Sequence, residues 1–424
     1  MKFLYLSFIF PPLAGAEPRH NLSVIRRLRE RGFEPVIITS PRDYPEAKDL
    51  ALESLVPEDL RTVRVAWPRH ATNKVLARGR QILRVPRNPL EFGGAARLYQ
   101  AAASEMQARP VSFIYTVHGI GAAHLAGLKL KAATRLPWVA EFRDPWFHNV
   151  VARTYLEDFS WRWWSRANLA LTRRRTLAVV KNADLIVVES PMHGEYLVRD
   201  FAADANRIVP YGMGYEPEYF RGNPALPVEF TRRPVIGFVG YIYYGYEQVV
   251  RNMVRALAEL ERRGHAFTLL SVGDSAGVFA KCAQEEHLES HVPIGRVGLG
   301  TALALMQKMD FGFVCRSPDD ICNINSKLWE YLAAKLYILG VVPPEGAMAR
   351  LMAEGNCGRV LPYDVEGMVR GLEQELLDYA AGTRKPPPPE FTQRFSAERM
   401  VDALAERLRL MCANASGTAS SPQP

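Results

Sequence analysis

The sequence predicts an α/β protein made of two doubly wound, Rossmann-like domains, and three observations predict it. Strand-length apolar runs alternate with helical patterns along the chain, the signature of parallel sheets covered by helices. The alternation begins afresh near residue 235, after a stretch from Glu216 to Arg233 that carries several Pro and Gly residues. At 424 residues the chain is long enough for two domains, at about 150 residues each.

Strands are expected in the first half at Lys2–Phe10, Pro35–Thr39, Thr62–Ala66, Phe113–Val117, Trp138–Phe142, Leu185–Glu189 and Ile208–Pro210. The second series is expected at Val235–Val239, Phe267–Val272, Val292–Ile294, Phe311–Val314, Tyr337–Val341 and Gly358–Leu361. The expected division is an N-terminal domain over 1–215, a linker over 216–232, a C-terminal domain over 233–390, a closing helix over 391–412 and a disordered tail over 413–424. Lys385 leads into four prolines, a stiff extended segment. The amphipathic pattern from Phe395 to Leu410 supplies the closing helix.

The first strand imitates a secretory leader: Lys2, the apolar run Phe3–Phe10, then Ala14-Gly15-Ala16. Pro11 and Pro12 interrupt that run, and Asn21–Arg31 continues as an amphipathic helix. A strand–loop–helix–strand unit accounts for the whole segment. The five cysteines show no CxxC or zinc spacing and read as reduced thiols of a cytoplasmic protein. No apolar run approaches the roughly 18 residues of a membrane span.

Charge divides unevenly. Residues 1–215 hold 31 Lys and Arg against 20 Asp and Glu, a net +11, whereas the rest of the chain nets −3. A basic first domain implies an anionic partner. Lys74–Arg87 interleaves five basic residues with Val75, Leu76, Ile82, Leu83 and Val85, and Trp161–Arg166 mixes tryptophan with arginine ahead of Arg173-Arg174-Arg175. With no nucleic-acid module in the sequence, these segments point either to anionic lipid at the inner membrane face or to a solvated basic face with its tryptophans in the core.

Ligands of open α/β sheets bind beyond the carboxyl ends of the strands, so the chemistry is sought there. Asn325 and Ser326 each can cap a helix that begins Lys327-Leu328-Trp329-Glu330. Lys327 adds positive charge to an N-terminus that already favours anions. Glu330, three residues on, shares its face and can accept hydrogen bonds from paired sugar hydroxyls. Lys and Glu at this spacing also occur widely on solvated helix faces. Gly15, in the loop after the first strand, and Gly240, followed by Tyr241 at the start of the second domain, allow backbone to approach a phosphate or sugar. The tyrosines at 241, 243, 244 and 246 can stack on a base or sugar, or line an interface. His118 ends a strand and can act as a base or hydrogen-bond donor, while His124 reads as a structural histidine. In Glu141-Phe142-Arg143-Asp144-Pro145-Trp146, Arg143 either binds an anionic group or pairs with Asp144. Asp319-Asp320 reads as a turn and helix cap rather than a metal site.

These pieces, in this order, resemble the family 4 glycosyltransferases of the GT-B fold. The resemblance rests on Glu141–Trp146, on Ser326–Ala334, and on Ile208-Val209-Pro210-Tyr211-Gly212. It implies two Rossmann-like domains facing a cleft, with the last helix returning to the N-terminal domain. It also implies a nucleotide-diphospho-sugar donor held by the C-terminal domain and a glycan or polyprenol-linked acceptor at the N-terminal one. The reaction implied is metal-independent, needs no cofactor and retains anomeric configuration, in surface polysaccharide or glycan synthesis. Ser326, Lys327 and Glu330 take donor-binding roles by this match. Two departures stand out: Cys322 occupies the place of the family's first donor-site glutamate, and Tyr241 follows Gly240 where many members have arginine. The alternatives are a nucleotide-sugar 2-epimerase on the same frame and a non-catalytic partner subunit.

Overall fold

The computed structural model describes all of the chain except residues 45–46, 67–88, 119–120, 148–161, 223, 243–245, 275–276 and 419–424; the side chains of 89–93, 162–165, 168 and 416–418 are also outside the description. Lys74–Arg87, Trp161 and the tyrosines at 243 and 244 therefore lie outside the described residues. The chain divides into two compact units, one of residues 1–212 with 400–424, the other of residues 213–399. The expected linker, 216–232, falls within the second unit and contains a short 3₁₀ turn, Pro217–Arg221.

The first unit carries a seven-stranded sheet: β1 (Lys2–Leu6), β2 (Glu34–Thr39), β3 (Thr62–Arg64), β4 (Phe113–His118), β5 (Trp138–Phe142), β6 (Leu185–Val188) and β7 (Ile208–Pro210). Its order is β3-β2-β1-β4-β5-β6-β7, with every pair parallel. β1, β4, β5 and β6 are apolar and buried almost throughout, as strands covered on both faces must be. β1 is shorter than expected. It stops at Leu6 because the chain turns toward the Ala16–Glu30 helix, whose Asn21 donates from Nδ2 to the Ile9 carbonyl at 2.7 Å and to Ser7 Oγ at 3.1 Å.

The second unit carries six parallel strands: β8 (Val235–Val239), β9 (Thr268–Val272), β10 (His291–Ile294), β11 (Phe311–Cys315), β12 (Tyr337–Val341) and β13 (Gly358–Val360), in the order β10-β9-β8-β11-β12-β13. The winding order of each sheet thus reverses once, between β1 and β4 in the first and between β8 and β11 in the second. Those are the switch points at which a doubly wound sheet opens a crevice.

The last helix, Ala397–Thr418, buries Val401, Leu404, Ala405 and Leu408 in the core of the first unit, beside Phe3, Leu28 and Phe113. The 401, 404, 405, 408 spacing is one helical face. Arg31 Nε to Asp402 Oδ1 at 2.6 Å and Arg409 to the Arg31 carbonyl at 2.9 Å tie its rim. The helix runs on to Thr418, so residues 413–418 are helical where a disordered tail is expected from their small, polar composition. Among the described residues, no helix is long and apolar enough to cross a membrane.

Candidate functional site

The second unit's switch point gathers the residues expected to bind a donor. β8 ends at Val239, and Gly240 turns the chain at φ 144°, a conformation that side-chain-bearing residues rarely adopt. The Gly240 N–H donates to the Val272 carbonyl at 2.9 Å, fixing the turn to β9. A Cβ on Gly240 would lie 3.8 Å from Lys327 Cε, so this turn and the lysine stem are neighbours. Lys327 stands in the first turn of the helix Ser326–Ala333, which Asn325 caps by accepting the Lys327 N–H at 3.0 Å. Leu328, Tyr331 and Leu332, at helical spacing, are fully buried, which pins the helix to the sheet. Trp329 packs on Phe395 with ring centroids 4.7 Å apart.

Lys327 Nζ reaches Glu330 Oε2 at 2.6 Å. The lysine side chain is 20% exposed and the glutamate 11%, so this is a partly buried pair at a sheet's carboxyl edge, not a solvated helix face. Ser326 is the first residue of the helix, not its cap. Tyr241 is exposed, whereas Tyr246 is buried and donates to Asp320 Oδ2 at 3.1 Å, an inward bond unsuited to stacking. Asp320 is not a helix cap: it lies in a turn, buried, and also pairs with Arg316 Nη1 at 3.0 Å. Those bonds, with Tyr363 donating to the Arg316 carbonyl at 3.1 Å, tie down the loop that leads through buried Cys322 to the capped helix. Among the described residues no group of three or more His, Cys, Asp or Glu is placed to hold a metal ion.

The first unit's carboxyl edge holds a second polar group. Gly15, at φ 132°, precedes the Ala16–Glu30 helix and leaves its first turn without a side-chain cap. Arg143, just past β5, is buried. Its Nη2 lies 2.7 Å from Glu141 Oε1 and 3.4 Å from Asn21 Oδ1. Tyr115 donates to Glu141 Oε2 at 2.6 Å and Tyr5 to Asn21 Oδ1 at 3.0 Å. Burial raises the Glu141 carboxyl to about 7, against the Tyr115 hydrogen bond. Arg143 is thus paired with Glu141, a partner that the expected choice between a ligand anion and Asp144 omits. Its Nε and Nη1 have no hydrogen-bond partner among the described residues. Asp144 is half-buried. Two sequence signals could have singled out Glu141 and Asn21: an acid inside an apolar five-residue strand, and an amide on the buried face of an amphipathic helix.

His118 ends β4 with its ring 5.0 Å from Trp146 and 5.6 Å from His124. Burial lowers its pKa to about 4, so at neutral pH it is an uncharged hydrogen-bonding group and a weak base. His124 is a core residue, its Nδ1 2.8 Å from Thr116 Oγ1. His193, absent from the expected set, completes the group, with burial lowering it to about 3.

Comparison with known proteins agrees with this architecture. Residues 15–212 match the model of the glycosyl transferase 4-like domain. No curated protein matches the chain. Among solved structures, sucrose-phosphate synthase from Thermosynechococcus elongatus is similar at 16% identity and TM-score 0.68, over 97% of this chain and 99% of that one. Anabaena Alr3699/HepE in complex with UDP and glucose is similar at 16% identity and TM-score 0.64, over 97% and 100%. UDP-GlcNAc 2-epimerase from Methanocaldococcus jannaschii follows at 11% and 0.57, over 97% and 100%. At these identities the likeness is one of fold.

Proposed function

We propose that this chain, whose residues 15–212 match the glycosyl transferase 4-like domain and whose fold is of the GT-B type, transfers a sugar from a nucleotide-diphospho-sugar to a glycan or lipid-linked acceptor, with retention and without a metal. The observation that carries the donor half of this reading is the meeting of the Gly240 turn with Lys327 at the β8/β11 switch point.

In this reading Lys327 and the N–H groups of the Ser326–Ala333 helix receive the diphosphate. As the bond from the anomeric carbon to the phosphate oxygen breaks, charge grows on the departing nucleoside diphosphate, and positive charge already in place stabilises it. An ammonium has three donors, so Lys327 can hold Glu330 and a phosphate oxygen together. Glu330 accepts hydrogen bonds from the ribose hydroxyls. Gly15 serves the donor by letting backbone approach a phosphate or sugar, while His118, Arg143 and Asp144 of the N-terminal unit serve catalysis at the acceptor, where neutral His118 offers hydrogen bonding to a hydroxyl. The solved neighbour that binds UDP and glucose supports a nucleotide-sugar donor. The basic first half supports docking on anionic lipid.

Calorimetric titration of UDP, GDP and ADP into wild type, Glu330→Gln and Lys327→Ala tests the donor site. Losing a charged partner of a buried ligand costs about 2–5 kcal/mol, so each variant should bind at least roughly 30-fold more weakly. The Glu330→Gln melting temperature should move little, because glutamine keeps the shape of the side chain and can still accept a hydrogen bond from Lys327. Cys322→Ala, which removes no charge, should bind like wild type. Equal binding by all variants, or variants that unfold, would overturn the assignment. Incubation with UDP-N-acetylglucosamine and no acceptor separates the other enzyme class: conversion to the 2-epimer would identify an epimerase.

A further inference from the structure

We propose that Tyr331 is a positioning residue of the donor site, a wedge whose hydroxyl replaces a rung of the sheet and holds the Gly240 turn at a set distance from Lys327 and Glu330. The inference rests on the donor reading above and names the device that shapes that site.

β8 and β11 pair through Ile236–Phe311 and Gly237–Gly312. A parallel ladder in this register would next join the Val239 N–H to the Phe313 carbonyl. Instead the Val239 N–H donates to the Tyr331 hydroxyl at 3.0 Å. That hydroxyl lies 3.4 Å from both the Phe313 and the Gly237 carbonyls and can donate its one proton toward them. The side chain stands where the missing rung would be, and the two strands part beyond it. The slot is shaped for the ring: a Cβ on Gly312 would come within 2.5 Å of Tyr331 Cδ2. Tyr331 is fully buried, and an unpaired strand N–H at this depth would be costly, so the inserted hydroxyl makes the parting of the strands tolerable.

Its place in the sequence gives the wedge its consequence. Val239 immediately precedes Gly240. Tyr331 immediately follows Glu330 and lies one turn beyond Lys327. One hydroxyl therefore ties the phosphate-facing turn directly to the helix that carries both charged donor residues.

The test compares Tyr331→Phe with Tyr379→Phe in the full chain. Tyr379 also loses a single hydrogen bond, to Asp310 Oδ1 at 3.1 Å, but that bond lies at the opposite end of β11. UDP, GDP and ADP are titrated into both, beside wild type and Glu330→Gln, with melting temperatures recorded. Both tyrosine variants should melt slightly lower. Tyr331→Phe alone should bind the nucleotide about tenfold more weakly or worse, as small misplacements of binding groups do. If Glu330→Gln weakens binding and Tyr331→Phe does not, the wedge is structural only and the inference fails, while the donor site stands. If both bind like wild type, the donor reading itself fails and the inference with it. Should Tyr331→Phe not fold, Gly312→Ala decides by the same titration, since its added methyl drives the ring from its slot; unchanged binding there overturns the proposal.

Discussion

Three histidines in the first unit, His118, His124 and His193, are held neutral by burial. The sign of the consequence follows. Below the ordinary histidine pKa of 6.5 the unfolded chain takes up protons that the native state refuses. Stability is therefore expected to fall as pH drops from about 6.5 toward about 4, by on the order of 3 kcal/mol for His118 in full. Glu141 acts oppositely: raised to about 7, it favours the native state as pH falls from 7 toward 4.5. Three histidines outweigh one carboxyl, so the net slope is toward acid lability. Thermal unfolding followed at pH 7.5, 6 and 5 should show it, and His193→Phe should flatten the curve. A curve indifferent to that substitution would mean that the acid sensitivity arises elsewhere.

Among the helices, Ser326–Ala333 has only eight residues, too short to stand by propensity alone. It depends on its cap and on the buried Leu328, Tyr331 and Leu332. Asn325→Ala removes the acceptor of the Lys327 N–H and should cost about 1 kcal/mol. It should also weaken nucleoside diphosphate binding, because the first turn that presents Lys327 frays. Asn325→Asp restores an acceptor and should recover the stability. Urea unfolding and calorimetric titration of the two variants check both effects.

For the whole molecule, the chain leaves its first unit at Gly212 and returns at Met400. The returning helix adds Val401, Leu404, Ala405 and Leu408 to a core begun almost four hundred residues earlier. A chain ended at Arg399 exposes that face of the N-terminal core, and each large side chain withdrawn forfeits about 1.5–3 kcal/mol of burial. The truncated protein is expected to lose near-ultraviolet circular dichroism from the first unit and to become sensitive to proteolysis there. Retention of both signals would show that the helix is dispensable. The +11 charge of residues 1–215 predicts flotation with anionic vesicles at low salt and its loss at high salt, since screening shortens such attractions. Failure to float at either salt would remove the membrane from the proposal.

The sequence by itself determined the element pattern. Among the described residues every strand overlaps an apolar run expected from the sequence, although β1 stops four residues early; the central strands are legible because a strand buried on both faces must be written as a continuous apolar run. It also singled out Lys327 and Glu330, whose residue types and spacing belong to one helix face. Tertiary structure alone decided what depends on neighbours distant in sequence. The bond from Tyr115 to Glu141, twenty-six residues away, needs β4 to lie beside β5. The inward bond of Tyr246 needs Asp320, seventy-four residues away. The same holds for Tyr331, which sequence alone reads as one more buried aromatic in a helix. Only the register of β8 against β11 shows that its hydroxyl stands in place of a backbone bond. Periodicity records which face of an element is buried; it does not record which polar atoms meet once the elements are packed.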